Sequence, residues 1–276
     1  MISPLKISSC VILNDGNTMP IFGIGVWDSK PGKECYDAVS YALKKGYRHI
    51  DTAEMYGNEK DVGSAIADSG IAREKIFVTT KLWDSNLGYD HALKAFDVSL
   101  KKLNLEYIDL YLIHWPGGES QIKAWEALEK IKKQEKCKSI GVSNFAPHHL
   151  KEILIYGKEK PSVNQIEISP FLQQKKITSF CLGNNIHITG YCPLARAKRF
   201  DHPTISQIAK DTKKSPAQVM IRWSLQNGYT AIPKSSRSER IEENSQIFNF
   251  TLSKTQMKIL NKLEEGLRFC PDPLTI

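Results

Sequence analysis

The stretch HALKAFDVSLKKLNLEYIDLYLIH, residues 91–114, sets two periodicities side by side. In its first half Leu93, Phe96, Leu100 and Leu103 fall three or four apart, the spacing of one helix face. In its second half IDLYLI runs almost without a polar break, as a parallel strand covered on both sides should. A helical face leading into such a strand is one turn of a β/α alternation.

The alternation extends in both directions. Short β-rich runs stand at 47–51 (YRHID), 75–81 (KIFVTTK), 107–114 (YIDLYLIH), 138–144 (KSIGVSN), 162–168 (SVNQIEI), 186–191 (IHITGY) and 229–233 (YTAIP), and a further run ends near Val26. These eight strands, with segments of helical spacing between them, predict an α/β fold, a (β/α)8 TIM barrel. Ahead of it CVILNDGNTMPIFGIGVW (10–27) places hairpin turn residues, Asn14 to Asn17, between two apolar runs. An additional C-terminal helix is expected after the eighth unit. No linker or compositional shift divides the chain, so residues 1–276 read as a single domain. The competing doubly wound sheet would need a glycine fingerprint, but Gly23-Ile-Gly25-Val-Trp-Asp28 lacks its third glycine and precedes no immediate helix.

Composition narrows the function. With 41% hydrophobic residues and 25% charged, the 276-residue chain is globular rather than disordered. Six cysteines are scattered without a CxxC pair, the pattern of reduced thiols. The opening MISPLKISSCVILNDG has no apolar core long enough for a signal peptide, and no later run approaches a membrane span, so a cytoplasmic location is expected. The net charge of +8 arises from doublets such as Lys44–Lys45, Lys101–Lys102 and Lys213–Lys214 spread over many segments. Dispersed doublets read as solvated helix faces that favour a small anionic ligand, not as a nucleic-acid stripe. Neither an HxH pair nor HExxH is present, His148 and His149 are poorly placed to share one metal, and GVSNF lacks a glycine of the nucleophile elbow. No metal site is expected.

A barrel assembles its site at the C-terminal strand ends. There stand Asp51 on the second strand, Lys81 on the third, His114 on the fourth, Ser143 and Asn144 on the fifth, Gln165 and Glu167 on the sixth, and Tyr191 on the seventh, with Tyr56 in the loop after Asp51. Each alone could cap a helix, sit on the rim or pack in the core. Together an acid, an ammonium, a phenol and an imidazole at one rim can protonate and polarise a developing alkoxide, as carbonyl reduction by hydride transfer requires. Lys81 is expected to lower the pKa of Tyr56, and Asp51 to pair with Lys81. The hydride must come from a cofactor. After the eighth strand, IPKSSRSER (232–240) brings Lys, Ser and Arg to a helix start, an anion site where barrels commonly bind phosphate. Trp27, Trp83 and Trp115, each just past a strand end, are expected to form the substrate wall, with short loops and a brief tail leaving the pocket open.

These motifs resemble the aldo-keto reductase family, in its short microbial form. HIDTAEMYGNE holds Asp51 and Tyr56, TTKLW holds Lys81, LYLIHWP holds His114, IGVSNF holds Ser143 and Asn144, NQIE holds Gln165, and IPKSSRSERIEEN closes with Asn244. The resemblance implies that Asp51, Tyr56, Lys81 and His114 form the catalytic tetrad. It further implies that Ser143, Asn144 and Gln165 hold the nicotinamide carboxamide and that Tyr191 stacks on its ring. By the same resemblance Lys234, Ser235 and Arg240 take the adenosine 2′-phosphate and Glu243 and Asn244 the adenine, so NADPH is the implied cofactor, a small carbonyl compound the substrate and a monomer the working form. The chain departs from the family pattern at Cys192, Ala195 and Cys270. A cofactor-binding sensor module with little turnover is the alternative reading, against which the complete tetrad weighs.

Overall fold

In the computed structural model, which describes residues 5–276, the chain opens on an antiparallel hairpin, β1 (Cys10–Ile12) and β2 (Thr18–Pro20). The first four residues of the opening stretch lie outside the described residues. Ile12 pairs with Thr18, and Gly16 at the turn takes the positive φ of 86° that a side chain would disfavour. The hairpin sets Leu13 and Met19 on Phe77, Leu110, Leu112 and Val163, forming a small core of its own.

The barrel follows as β3 (Ile24–Gly25), α1 (Lys33–Lys44), β4 (His49–Asp51), α2 (Glu59–Asp68), β5 (Phe77–Leu82) and α3 (Tyr89–Leu103). It continues with β6 (Ile108–Ile113), α4 (Glu119–Lys133), β7 (Cys137–Ser143), α5 (Pro147–Tyr156), β8 (Val163–Glu167), α6 (Lys175–Gly183) and β9 (His187–Tyr191). Two helices, α7 (Pro203–Thr212) and α8 (Pro216–Gln226), precede β10 (Thr230–Ala231); α9 (Ser238–Ser245) and α10 (Lys254–Leu260) close the chain of helices. All eight expected strands are present, and the additional C-terminal helix is α10. The second helix between β9 and β10 was not anticipated. Ser215 and Gln218 form a reciprocal capping box there, which starts α8 after the left-handed Lys213 has ended α7.

Strands β3 to β10 lie in chain order, each parallel to its neighbour. The ring closes where Phe22 bridges Ala231 and Gly25 bridges Lys234. This closure explains the glycines that resembled a dinucleotide fingerprint. A Cβ on Gly23 would stand 2.7 Å from the His49 carbonyl oxygen, and one on Gly25 3.0 Å from that of Ile232. Their role is close strand approach. The apolar core lies between the strands and the helix ring; on α3 Phe96 and Leu103 are fully buried while Leu93 and Leu100 are half-buried against it. With that layer fixed, the C-terminal strand ends face one mouth.

Candidate active site

Lys81, fully buried near the end of β5, spends its three ammonium protons on three acceptors. Asp51 Oδ1 lies at 2.6 Å, the Thr52 carbonyl at 2.8 Å and the Tyr56 hydroxyl at 3.2 Å. Tyr56 therefore accepts from Lys81, and its own proton has no protein acceptor among the described residues. The second oxygen of Asp51 accepts from the Gln165 amide at 2.6 Å. A short 3-10 turn, Glu54–Tyr56, closed by Gly57 at φ 69°, brings Tyr56 back over Asp51.

His114 completes the group. Its ring stands edge-on to Tyr56 at 5.7 Å and to Trp83 at 5.2 Å, and its buried Nδ1 has no hydrogen-bond partner. Burial, with the Lys81 charge adding to it, holds the imidazole well below its ordinary pKa, so it is neutral at pH 7. Lys81 is pulled down by burial and supported by Asp51. The expectation for Tyr56 is corrected: burial, seconded by the Asp51 charge, pushes the phenol well above its ordinary value. The Lys81 charge is answered by Asp51 at closer range, which leaves little of it to favour a phenolate. A phenol that stays protonated in the resting site is still suited to give its proton to a stronger base, an alkoxide.

These four side chains are brought together around a cavity of about 460 Å³, although Lys81 itself lies beneath its surface. Trp27, Trp83 and Trp115 all line it, as do Ser143, Asn144, Gln165 and Tyr191. Tyr191 donates to Asn144 Oδ1 at 2.8 Å, Asn144 Nδ2 donates to Ser143 Oγ at 3.1 Å, and Ser143 Oγ donates to the Gln165 carbonyl at 2.9 Å, so these four residues form one connected set. Asn144 adopts φ 62°, which asparagine tolerates better than most residues.

A second cavity of about 440 Å³ shares Trp27, Cys192 and Lys234 with the first and runs along Ser235, Arg240, Glu243 and Asn244. Neither Lys234 nor Arg240 pairs with a carboxylate among the described residues; Lys234 donates to the Asp28 carbonyl at 2.9 Å. Arg196, which the sequence reading passed over, lies on the same groove with its guanidinium 4.7 Å from the Trp27 ring. The only sequence sign of it was a lone arginine in an irregular loop. Unpaired cations, a serine and a buried asparagine continuous with the polar cavity suit a phosphorylated dinucleotide, so the residues present fit NADPH.

Two expectations about the rim are corrected. The loop after β9 is not short: it contains a 3-10 turn, Ala195–Ala197, in which all three residues have positive φ, as Cys192 has before them. Ala195 thus adopts the left-handed backbone without being glycine. The tail is also longer than expected, because α10 already ends at Leu260, and it walls the cavity with Cys270, Pro271 and Ile276. Glu167 holds it there, its carboxylate accepting from the backbone N–H groups of Phe269 and Cys270 at 2.9 and 3.0 Å. The imidazole of His149 lies 3.0 Å from the Ile276 carbonyl oxygen. Burial pushes the Cys192 thiol up to about 12 and raises that of Cys270, so neither is poised as a nucleophile.

Residues 21–265 match the model of the Aldo/keto reductase family. The chain belongs to this family. It is 46% identical over 268 residues to the 9,11-endoperoxide prostaglandin H2 reductase of Trypanosoma cruzi, covering 96% of this chain and 95% of that protein. It is 45% identical over 270 residues to the glyoxal reductase of Bacillus subtilis, covering 98% of each. Among solved structures, an aldo-keto reductase from a Medee basin deep-sea metagenome library superposes with a TM-score of 0.93 at 43% identity, over 95% of this chain and 97% of the other. The Bombyx mori aldo-keto reductase in complex with NADP superposes with a TM-score of 0.90 at 32% identity, over 96% and 95%. The barrel of this aldo-keto reductase is therefore the family fold.

Proposed function

We propose that the protein reduces aldehydes and ketones to alcohols in an NADPH-dependent reaction in which Tyr56 supplies the proton. The observation that carries this reading is the Tyr56 hydroxyl, which accepts from Lys81 and keeps its own proton free beside a neutral imidazole. A substrate carbonyl oxygen between Tyr56 and His114 would meet two donors as negative charge develops on it. Lys81 answers the charge left on the phenol, and Asp51 with Gln165 fixes the ammonium in place. Bound NADPH supplies the hydride, which no side chain can. Ser143, Asn144, Gln165 and Tyr191 would hold its nicotinamide end. Lys234, Ser235 and Arg240 would hold its 2′-phosphate, with Glu243 and Asn244 near the adenine. The family relative in complex with NADP supports that cofactor, and the relatives named for glyoxal and an endoperoxide support small oxygenated substrates.

Trp27, Trp83 and Trp115 give the substrate an apolar wall. The site is complete within one chain, which supports a working monomer. All six cysteines are free, which supports a reducing, cytoplasmic location; no described helix is long and apolar enough to cross a membrane. The test is NADPH consumption with an aldehyde present. Wild-type protein should turn over, and Tyr56→Phe should lose about 10²–10⁴-fold in kcat with its NADPH Kd nearly unchanged. A Tyr56→Phe enzyme retaining more than a tenth of turnover would remove Tyr56 from the proton-donor role.

A further inference from the structure

Three charged side chains line the reaction cavity: Asp51, Lys234 and Asp84. The first two are engaged, Asp51 by Lys81 and Gln165 and Lys234 by the Asp28 carbonyl. Asp84 is not. Among the described residues no lysine, arginine or histidine pairs with it, and its Oδ1 is buried without a hydrogen-bond partner. The same wall carries Trp83, Trp115, Pro116 and Ile276, all largely apolar.

Asp84 as a whole is half-buried, and the turn that carries it is held in place. Asp84 opens the 3-10 turn Asp84–Asn86, and that turn is clamped on both sides by Glu54, which accepts from Trp83 N at 2.9 Å and from Asn86 Nδ2 at 2.6 Å. The inner oxygen, Oδ1, has lost water contact without gaining a donor from another side chain. A donor arriving on a ligand would restore what was lost.

We propose that Asp84 is a specificity-determining residue that selects carbonyl compounds carrying a hydroxyl group on the part of the molecule away from the reacting carbonyl. The proposal rests on the carbonyl-reductase reading and names the substrate class of that same site. A hydroxyl is favoured over an ammonium because the chain carries a net charge of +8, which opposes a cation. A substrate carboxylate would face Asp84 as a like charge and be rejected. Burial pushes the Asp84 carboxyl up to about 6, so it is still ionised at pH 7.5 and able to act in both ways.

The experiment compares kcat/KM for three benzaldehydes of one ring size, bearing hydroxymethyl, methyl or carboxylate, in para and meta series, with wild type, Asp84→Asn and Asp84→Leu. In wild type the hydroxymethyl-to-methyl ratio should exceed about 10 in at least one series, because a site that expects a donor penalises its absence. Asp84→Leu should bring that ratio to about one, and both variants should raise the carboxylate-to-methyl ratio about tenfold. Free Asp84→Asn protein should melt at a higher temperature than wild type, since the uncompensated charge is gone; a residue serving only the turn would melt lower when replaced. Ratios unmoved in Asp84→Leu, with all three aldehydes reduced, would overturn the Asp84 assignment alone. Failure of wild type to reduce any of the three would overturn the reductase reading and Asp84 with it.

Discussion

The amide of Gln165 donates to Asp51 Oδ2 at 2.6 Å, while Lys81 holds Oδ1 of the same carboxylate. In the proposed reaction Gln165 is one of the residues that hold nicotinamide and Asp51 one of those that hold the proton donor, so this bond joins the two halves of the site, as does that from Asn144 Nδ2 to the His114 carbonyl at 3.1 Å. The Gln165 and Asp51 side chains are both buried, and an unpaired buried carboxylate oxygen costs about 1–3 kcal/mol. Gln165→Leu should therefore lower kcat about tenfold and raise the NADPH Kd by a similar factor. Single-turnover kinetics and a cofactor titration measure the two separately. A change in Kd alone would mean that Gln165 serves the cofactor and nothing else.

What the sequence disclosed and what it hid divide along a physical line. Strand and helix existence was readable because apolar runs such as IDLYLI and the Phe96–Leu103 stripe answer to burial that repeats along the chain. That Asp51, Lys81 and His114 meet at one mouth was readable because strand ends in a barrel converge by construction, which brings them together from distant positions. The sign of the Tyr56 shift was not, since it depends on how deeply the phenol is buried and on how much of the Lys81 charge Asp51 has already answered. The tail was misjudged for a related reason. Glu167 carries no local signal that it will bind Phe269 and Cys270 a hundred residues later, and only that anchor turns an irregular terminus into a cavity wall. Asp84 carries no local signal either, since only the folded chain puts it on one cavity with Trp83, Trp115 and Ile276.

Two histidines make the barrel sensitive to acid. His49 hydrogen-bonds Thr79 at 3.0 Å and His187 hydrogen-bonds Thr230 at 2.9 Å, and burial holds each imidazole down to about 4. An unfolded chain takes up these protons near pH 6.5, the folded one only near pH 4. Between those values the unfolded state binds more protons, so stability is full above about pH 6.5 and is lost as pH falls towards 4, by an amount on the order of 3 kcal/mol per histidine. Urea unfolding at pH 7.5 and pH 5 should show the drop, and His49→Gln should flatten it. An unchanged pH slope in the variant would assign the acid sensitivity to other groups.

Cofactor choice should lie with Lys234 and Arg240. Neither is neutralised by a carboxylate, and both stand on the groove that leaves the reaction cavity beside Ser235 and Asn244. Lys234 uses one proton on the Asp28 carbonyl and has two left for a phosphate. Arg196 also carries charge on this groove, where its guanidinium lies over the rings of Trp27 and Phe269. Its attraction for the phosphates that NADPH and NADH share would alter both affinities alike, which makes their ratio the informative quantity. Charge-assisted hydrogen bonds to a phosphate contribute about 1.5–3 kcal/mol each, so Lys234→Met with Arg240→Met should lower the NADPH-to-NADH affinity ratio by at least about 10². Raising the salt concentration should narrow the wild-type ratio and leave that of the double variant nearly flat, because the screened charges are then gone. Equal ratios in wild type and the double variant would place the 2′-phosphate contacts elsewhere on the groove, with Arg196 the next residue to replace.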